Sequence, residues 1–279
     1  MNYGIVKPVL IAFFISVLLS PMMIRYLHKL KFGQFIRGEG PESHLKKSGT
    51  PTMGGLIILL GIVIASVLFV TLGFGFIGFI DDYIKVVMKR NLGLHAWQKM
   101  LGQIIVTGIF AYYLINYTEI GTSMLIPFTH GKYLNLGAFF VPAVFIILLG
   151  TVNGANFTDG LDGLASSVTV LIATYFTVAA LGMQQDGMSA GIWPISCATV
   201  GSLLGFLVFN VYPARVFMGD TGSLALGGFV AATALILHLP LFIPIVALIY
   251  MVEVLSVMPQ VGYFKATKGK RLFLSLIHI

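Results

Sequence analysis

The sequence has little cysteine and little charge. Its 279 residues include one cysteine, Cys197, and only 10% are Asp, Glu, Lys or Arg, whereas 57% are hydrophobic. A single cysteine excludes an internal disulfide, and a soluble protein of this length could not bury so much apolar surface. The apolar runs are continuous and do not alternate as the strands of a membrane barrel do. We therefore predict an all-α, polytopic integral membrane bundle of about eight to nine transmembrane helices.

Seven apolar runs approach the roughly 20 residues that a helix needs to cross a bilayer. The first has no Ala-x-Ala-like cleavage site and is longer than the apolar part of a signal peptide, so we expect it to be kept as a spanning helix. The runs are Ile5–Ile24, Met100–Ile115, Leu136–Val152, Leu164–Met183, Gly191–Phe209, Ser223–Leu237 and Leu241–Val261.

Basic residues are concentrated between these runs. The segments 25–52, 81–99, 153–163, 210–222 and 262–273 hold 15 of the 17 Lys and Arg residues. The positive-inside rule places all five segments in the cytoplasm. We predict a multi-pass membrane protein that contacts the lipid bilayer and not nucleic acid.

One region conflicts with this topology. Two crossings between Gly54 and Asp81 need roughly 40 residues, but Leu56–Ile80 supplies 25. Either a single helix crosses here or residues have been lost.

Acidic residues are scarce and clustered. Only 10 of 279 residues are acidic, and five of those lie in three short tracts that flank apolar runs: Asp81-Asp82, Thr158–Gly163 and Gly219–Gly222. Carboxylates are costly near a bilayer, so this clustering predicts a shared site for a metal ion and phosphate.

Each tract has an alternative, purely structural interpretation. Asp81 and Asp82 point about 100° apart on a helix, so one could face phosphate while the other holds a lysine or fixes a helix; a solvated helix end is the alternative. Asn156, Asp159 and Asp162 are spaced by three and would share a helical face, or they form caps and turns.

Asp220 precedes a predicted helix, so it is either an N-cap or a Mg²⁺ ligand. Phe217 could stack on a base or anchor the segment in apolar surroundings. Lys46 and Lys47, within Ser43–Gly55, could hold anionic oxygens, although such Gly-, Pro- and Ser-containing segments are usually turns.

The three acidic tracts and the Ser43–Gly55 segment together favour Mg²⁺-dependent phosphoryl transfer from a soluble phosphorylated donor to a lipid acceptor. No Walker A, Gly-x-Ser-x-Gly or His-Glu-x-x-His motif is present.

The same stretches carry a family resemblance. Ser43–Gly55, Asp81–Tyr83, Asn156–Ala165 and Pro213–Gly228 resemble the phospho-N-acetylmuramoyl-pentapeptide transferases, in the polyprenyl-phosphate sugar-1-phosphate transferase superfamily. The resemblance implies transfer of phospho-N-acetylmuramoyl-pentapeptide from its UDP donor to undecaprenyl phosphate, with Mg²⁺, giving lipid I and UMP in peptidoglycan synthesis. It also implies the bacterial inner membrane as the location, with the active site on the cytoplasmic face. A covalent phospho-enzyme and direct attack both stay open.

The resemblance also implies roles for individual residues. Asp220 would bind the metal, Asp81 would be the base or nucleophile with Asp82 as its partner, and Asn156 and Asp159 would line the catalytic cleft. The residues implied to bind substrate are Lys47, Thr52, Lys85, Gly160, Leu161, Asp162 and Phe217.

The chain departs from the family in three places. It is about a dozen residues short between Thr52 and Asp81, in line with the length conflict above. We expect residues 1–273 to form one transferase domain and residues 274–279 to be a non-native tail in place of a His-rich loop and final helix. In the last span Pro259 should kink or end the helix, and Glu253 is an intramembrane acid and a functional candidate. We therefore expect little or no activity from the chain as written.

Two other functions compete. A sister enzyme would transfer N-acetylglucosamine-1-phosphate to the same lipid, and only Ser43–Gly55 argues against it. A transporter of a phosphorylated solute would place its carboxylates near mid-membrane, where only Glu253 is expected. A homodimer stays open, because the sequence does not decide the oligomeric state.

Overall fold

The computed structural model describes residues 3–29, 67–88, 93–118, 120–183 and 191–267. Within these ranges the chain is almost entirely helical. The α-helices are α1 (Tyr3–Lys29), α2 (Val67–Val87), α3 (Ala96–Tyr117), α4 (Phe140–Thr158), α5 (Leu164–Met183), α6 (Ile192–Asn210), α7 (Gly219–Ile236), α8 (Ile243–Val246) and α9 (Leu248–Ala266), and short 3-10 turns cover Gly137–Phe139 and Pro240–Phe242.

Six helices of the described part are long and apolar enough to span a membrane, and the bent pair at its end makes a seventh if counted as one span. The prediction of an all-α polytopic membrane bundle is confirmed. The predicted run Leu164–Met183 coincides with α5, and the other helices extend a few residues beyond the apolar runs at one or both ends. Of the segment that is too short for two crossings, residues 67–80 belong to α2, and residues 54–66 lie outside the described ranges.

Helix α7 is the centre of the bundle. Every residue from Thr221 to Ile236 is buried, and many of them are Gly, Ala, Ser or Thr. Small side chains let helix backbones approach closely, which is how membrane helices gain packing energy. A Cβ atom added to Gly227 would lie 2.5 Å from the Cα of Val152 on α4. This helix therefore brings α2 and α4 together around its first turns.

Glycines also join α1 to α6. A Cβ on Gly201 would lie 2.1 Å from the carbonyl oxygen of Val9, and one on Gly205 would lie 2.7 Å from that of Phe13. The contacts advance in the same direction along both helices, so α1 and α6 are parallel. The basic end of α1 and the polar end of α6 therefore lie at the same end of the bundle.

A small β-hairpin lies at the opposite end. Strand β1 (Ser123–Leu125) pairs antiparallel with β2 (Tyr133–Asn135), and Met124 lies opposite Leu134. The Leu125 N–H donates to the carbonyl oxygen of His238, just after α7 (2.8 Å). The hairpin thus covers the end of the bundle away from the acidic residues.

The last predicted span, Leu241–Val261, is not one continuous helix. It breaks at Ala247, whose φ of −107° and ψ of 40° are not helical, and the segments on either side are bent by 84°. Pro259 does not end the helix, since α9 continues through it to Ala266. Pro259 lacks only one helical N–H, a loss that membrane helices tolerate. An unbroken apolar run gives no signal for a bend inside it.

Candidate active site

Asp220 is the residue on which the polar side chains converge. It lies in the first turn of α7, and its Oδ2 accepts hydrogen bonds from the Nζ atoms of Lys85 and Lys99, each at 3.0 Å. Its Oδ1 accepts one from Asn156 Nδ2 at 2.8 Å. Side chains from α2, α3, α4 and α7 thus meet at one carboxylate. The capping alternative for Asp220 was wrong, because the residue lies inside the helix.

Asp82 takes the capping role instead. Its Oδ1 accepts the Asp220 N–H at 3.2 Å, and its Oδ2 accepts the Thr221 N–H at 2.9 Å and the Thr221 hydroxyl at 2.6 Å. The first N–H groups of a helix have no partner within it and carry partial positive charge. A carboxylate from α2 therefore satisfies the N-terminus of α7, which is the helix-fixing role considered for one member of the acidic pair.

We expect Asp82→Ala to destabilise the fold by about 1–3 kcal/mol, because it leaves buried donors unsatisfied. Asp82→Asn should cost less, since its amide oxygen still accepts. Thermal unfolding in detergent measures both, with Thr221→Val as the control that removes only the hydroxyl donor. An unchanged melting temperature for Asp82→Ala would show that the cap contributes nothing to stability.

Asp81 is also held on both sides. It is 3% exposed; its Oδ1 accepts the Leu94 N–H at 2.8 Å, and its Oδ2 lies 2.5 Å from Lys85 Nζ. Lys85 therefore bridges Asp81 and Asp220. The predicted divergence of Asp81 and Asp82 is present: one contacts the lysine and the start of α3, and the other contacts α7.

An amide pair lies one turn deeper, between α3 and α4. Gln103 Nε2 donates to Asn153 Oδ1 at 3.3 Å, and Asn153 Nδ2 donates back to Gln103 Oε1 at 2.8 Å. Gln103 is fully buried. Lys99 and Asn156 lie one turn along the same two helices and contact each other at 3.1 Å. The amide pair thus fixes the register that brings both residues to Asp220.

We expect Gln103→Leu to destabilise the protein by about 1–2 kcal/mol, because the half-buried Asn153 amide then keeps only the Leu149 carbonyl as a partner. The double variant Gln103→Leu/Asn153→Leu should recover part of this loss, since neither amide is then left unpaired. Melting temperatures of the two single variants and the double variant decide the point. Strictly additive losses would contradict the pairing.

The spacing of Asn156, Asp159 and Asp162 predicted a shared helical face. The structure does not have one. Helix α4 ends at Thr158, and Asp159 has a ψ of 38°, so the helical period stops before the two aspartates. Asn156 points to Asp220, whereas Asp162 Oδ2 accepts the Ala214 N–H at 3.0 Å. Burial raises the pKa of Asp159 well above its usual range, and the charges of Asp220 and Asp82 raise that pKa further. Asp159 therefore belongs to the acidic site and Asp162 to its rim.

The remaining predicted residues lie in the connections beside this cluster. Gly160 and Leu161 are in the α4–α5 loop, where Leu161 is exposed, and Phe217 is half-buried in the segment before α7. Gly163 has a φ of +76° and no close neighbour for a Cβ atom, so the turn and not a close approach requires glycine there. Lys47 and Thr52 are outside the described residues.

The donor set suits a hard divalent cation. One ligand atom from each of Asp81, Asp82 and Asp220 lies within 4.8 Å of the others. Three carboxylates against the ammonium groups of Lys85 and Lys99 leave one formal negative charge. Mg²⁺ prefers one or two carboxylates together with phosphate oxygens, and Asp220 and Asp81 keep lone pairs that no N–H occupies. These residues therefore fit a magnesium site.

Sequence reasoning missed several members of the cluster. Lys99 was grouped with the topology-determining basic residues, and Gln103 and Ser223 were read as parts of apolar runs. A usable signal existed for Lys99, because a charged residue beside the start of a span is expected to face a polar partner. Ser223, which accepts from Asn156 Nδ2 at 2.9 Å, gave no such signal.

Comparisons with known proteins agree with this site. The glycosyl transferase family 4 pattern matches residues 64–238, and the phospho-N-acetylmuramoyl-pentapeptide-transferase signature 1 matches residues 47–59. A phospho-N-acetylmuramoyl-pentapeptide-transferase of Clostridium botulinum (strain Alaska E43 / Type E3) is 49% identical over 98% of this chain and 86% of its own length. The protein of the same name from Clostridium kluyveri (strain ATCC 8527) is 48% identical over 97% of this chain and 88% of its own length. That from Clostridium perfringens (strain 13) is 48% identical over 96% of this chain and 86% of its own length.

Proposed function

The chain belongs to the phospho-N-acetylmuramoyl-pentapeptide transferase family, and from that premise we propose the substrates and chemistry of its site. As a member it is a multi-pass membrane glycosyl-1-phosphate transferase of peptidoglycan synthesis. We infer that it transfers phospho-N-acetylmuramoyl-pentapeptide from its UDP donor to undecaprenyl phosphate, with Mg²⁺, and releases UMP.

The observation that carries this proposal is the convergence of Lys85, Lys99 and Asn156 on Asp220. A reaction between a diphosphate and a phosphate brings two anions together, so the site must supply positive charge where they meet. Asp220, with Asp81, would hold Mg²⁺, which supplies charge neutralisation at the diphosphate when bound. Lys85 and Lys99, which contact the Asp220 Oδ2 atom, would also meet phosphate oxygens of the substrates.

The proposed transfer breaks one bond and forms one. An oxygen of undecaprenyl phosphate attacks the β-phosphorus of the donor, the bond from that phosphorus to the bridging oxygen breaks, and UMP leaves with the bridging oxygen. Asp81 is assigned to the attacking side, where it accepts a proton from the lipid phosphate if that group arrives protonated. Its contacts with Lys85 and the Leu94 N–H hold both carboxyl oxygens in place for this role.

We assign the rim of the site to the nucleotide. Gly160, Leu161 and Asp162 lie in the loop beside Asp159, and Asp162 ties this loop to the segment that carries Phe217. An aromatic ring beside backbone donors suits a uracil base, which needs stacking and hydrogen bonds at its edge. Lys47 and Thr52 are assigned to the same pocket by the family motif.

The membrane placement follows from charge. All the acidic residues of the site lie at the end of the bundle whose connecting segments carry the Lys and Arg residues, so the site faces the cytoplasm and receives a soluble nucleotide there. A solute transporter is disfavoured, because Asp81, Asp82 and Asp220 cluster at this end of the bundle and not near mid-membrane. Glu253 stays a functional candidate without an assigned role.

The test is UMP release in detergent with undecaprenyl phosphate. It should be run with the chain as it stands and with a version extended to the length of the Clostridium relatives. We expect release from UDP-N-acetylmuramoyl-pentapeptide and not from UDP-N-acetylglucosamine. Turnover with the second donor only would replace the proposal by the sister activity.

A further inference from the structure

Gly93 lies against the Asp81 carboxylate. A Cβ atom built on Gly93 would lie 2.5 Å from Asp81 Oδ1, 2.6 Å from its Cγ and 2.7 Å from its Oδ2. The backbone of Gly93 has no positive φ, so alanine would suffer no conformational strain there. The position thus excludes a side chain because of one neighbour, the carboxylate itself.

The next residue, Leu94, holds the Asp81 carboxylate beside Gly93. The Leu94 N–H donates to Asp81 Oδ1, and Lys85 holds the other oxygen. Leu94 also stands just before α3, whose first turns carry Lys99. The same contact therefore sets Asp81 and positions the start of the helix that delivers Lys99 to Asp220.

Each of the three carboxylates is held by a different set of groups. Asp82 is fixed by the N-terminus of α7, and Asp220 by two lysines and Asn156. Three carboxylates within 4.8 Å repel one another and would separate if one of them were released. Asp81 has no helix terminus to hold it, so its position depends on Lys85 and on the Gly93–Leu94 segment.

We propose that Gly93 is a positioning residue. Because it has no side chain, it leaves the space in which the Leu94 N–H holds the Asp81 carboxylate at the metal site. This inference deepens the proposed function and rests on the metal site assigned there. Because the displaced group in a Gly93→Ala variant is the end of a side chain and not backbone, the fold should persist while the carboxylate moves.

The test is Mn²⁺ binding to the purified chain in detergent, followed by electron paramagnetic resonance. We expect Gly93→Ala to weaken binding about 10- to 100-fold, as loss of a group that orients a metal ligand does, with a melting temperature close to that of the parent. Gly182→Ala, where a Cβ meets nothing within 4 Å, is the matched control and should change neither quantity.

A double-variant cycle separates positioning from general damage. An Asp81→Ala variant has no carboxylate beside Gly93. Adding Gly93→Ala to it should therefore weaken Mn²⁺ binding by less than twofold. Unchanged binding by Gly93→Ala alone, or full additivity in the double variant, overturns the proposal and leaves the proposed function standing. No binding of Mn²⁺ by the parent chain overturns both.

Discussion

Replacing Asp220 by asparagine is expected to lower the rate of UMP release by about 1,000-fold or more in the extended chain. The change removes the charge on which Lys85, Lys99 and Asn156 converge. Loss of about 4 kcal/mol of electrostatic stabilisation in the transition state corresponds to that factor. Steady-state assays across Mg²⁺ concentrations measure it.

The matched control is Asp162→Asn, which alters a carboxylate of the rim that contacts Ala214 and not the lysines. We expect this variant to affect mainly the Michaelis constant for the nucleotide, because Asp162 is assigned to the uridine pocket. If Asp220→Asn kept its turnover and lost only its dependence on Mg²⁺ concentration, the role assigned to Asp220 would be wrong.

Replacing Gly78 by alanine should have the second large effect, on the fold as well as the site. A Cβ at this position would lie 2.1 Å from the Asp220 carbonyl oxygen and 2.6 Å from the Thr221 nitrogen. Both are backbone atoms of α7, so α2 and α7 must move apart. Overpacking of this kind costs about 3 kcal/mol or more, and the separation would also break the Asp82 cap.

We expect Gly78→Ala to lower the melting temperature and to abolish Mn²⁺ binding together. Gly73→Ala on the same helix is the control, since its nearest neighbours are the methyl groups of Val106 at 3.0 and 3.2 Å, and its effect should be smaller. Normal stability and metal binding in Gly78→Ala would show that the α2–α7 crossing is looser than these distances indicate.

The helices of the bundle were predictable because a bilayer enforces them. A segment in hydrocarbon must satisfy its own backbone hydrogen bonds, so an apolar run of sufficient length becomes a helix whatever its partners are. Six of the seven runs accordingly correspond to single helices, α5 matches its run at both ends, and the seventh run is bent at Ala247. The bend at Ala247 was not predictable, since hydropathy carries no information on backbone direction.

The candidate residues of the acidic site were also found from sequence, because carboxylates are too costly near lipid to occur without a purpose. What each one does could not be found that way. The sequence left open whether Asp220 is an N-cap and which member of the Asp81-Asp82 pair fixes a helix. Asp82 caps α7 because the start of α7 lies next to α2, far away in sequence. The shared face of Asn156, Asp159 and Asp162 failed because α4 ends one residue before Asp159.

Lys99, Gln103 and Gly93 show the limit most clearly. Each has an ordinary local context, and each acquires its importance from a partner on another helix or segment: Asp220, Asn153 and Asp81.

Composition and charge alone established a multi-pass helical protein with its acidic residues gathered at the basic end, since solvation in lipid acts on each segment separately. Only the packing of the helices around α7 decided which polar side chains of the site contact each other. Those contacts depend on distances between helices, and the order of residues along the chain does not give these distances.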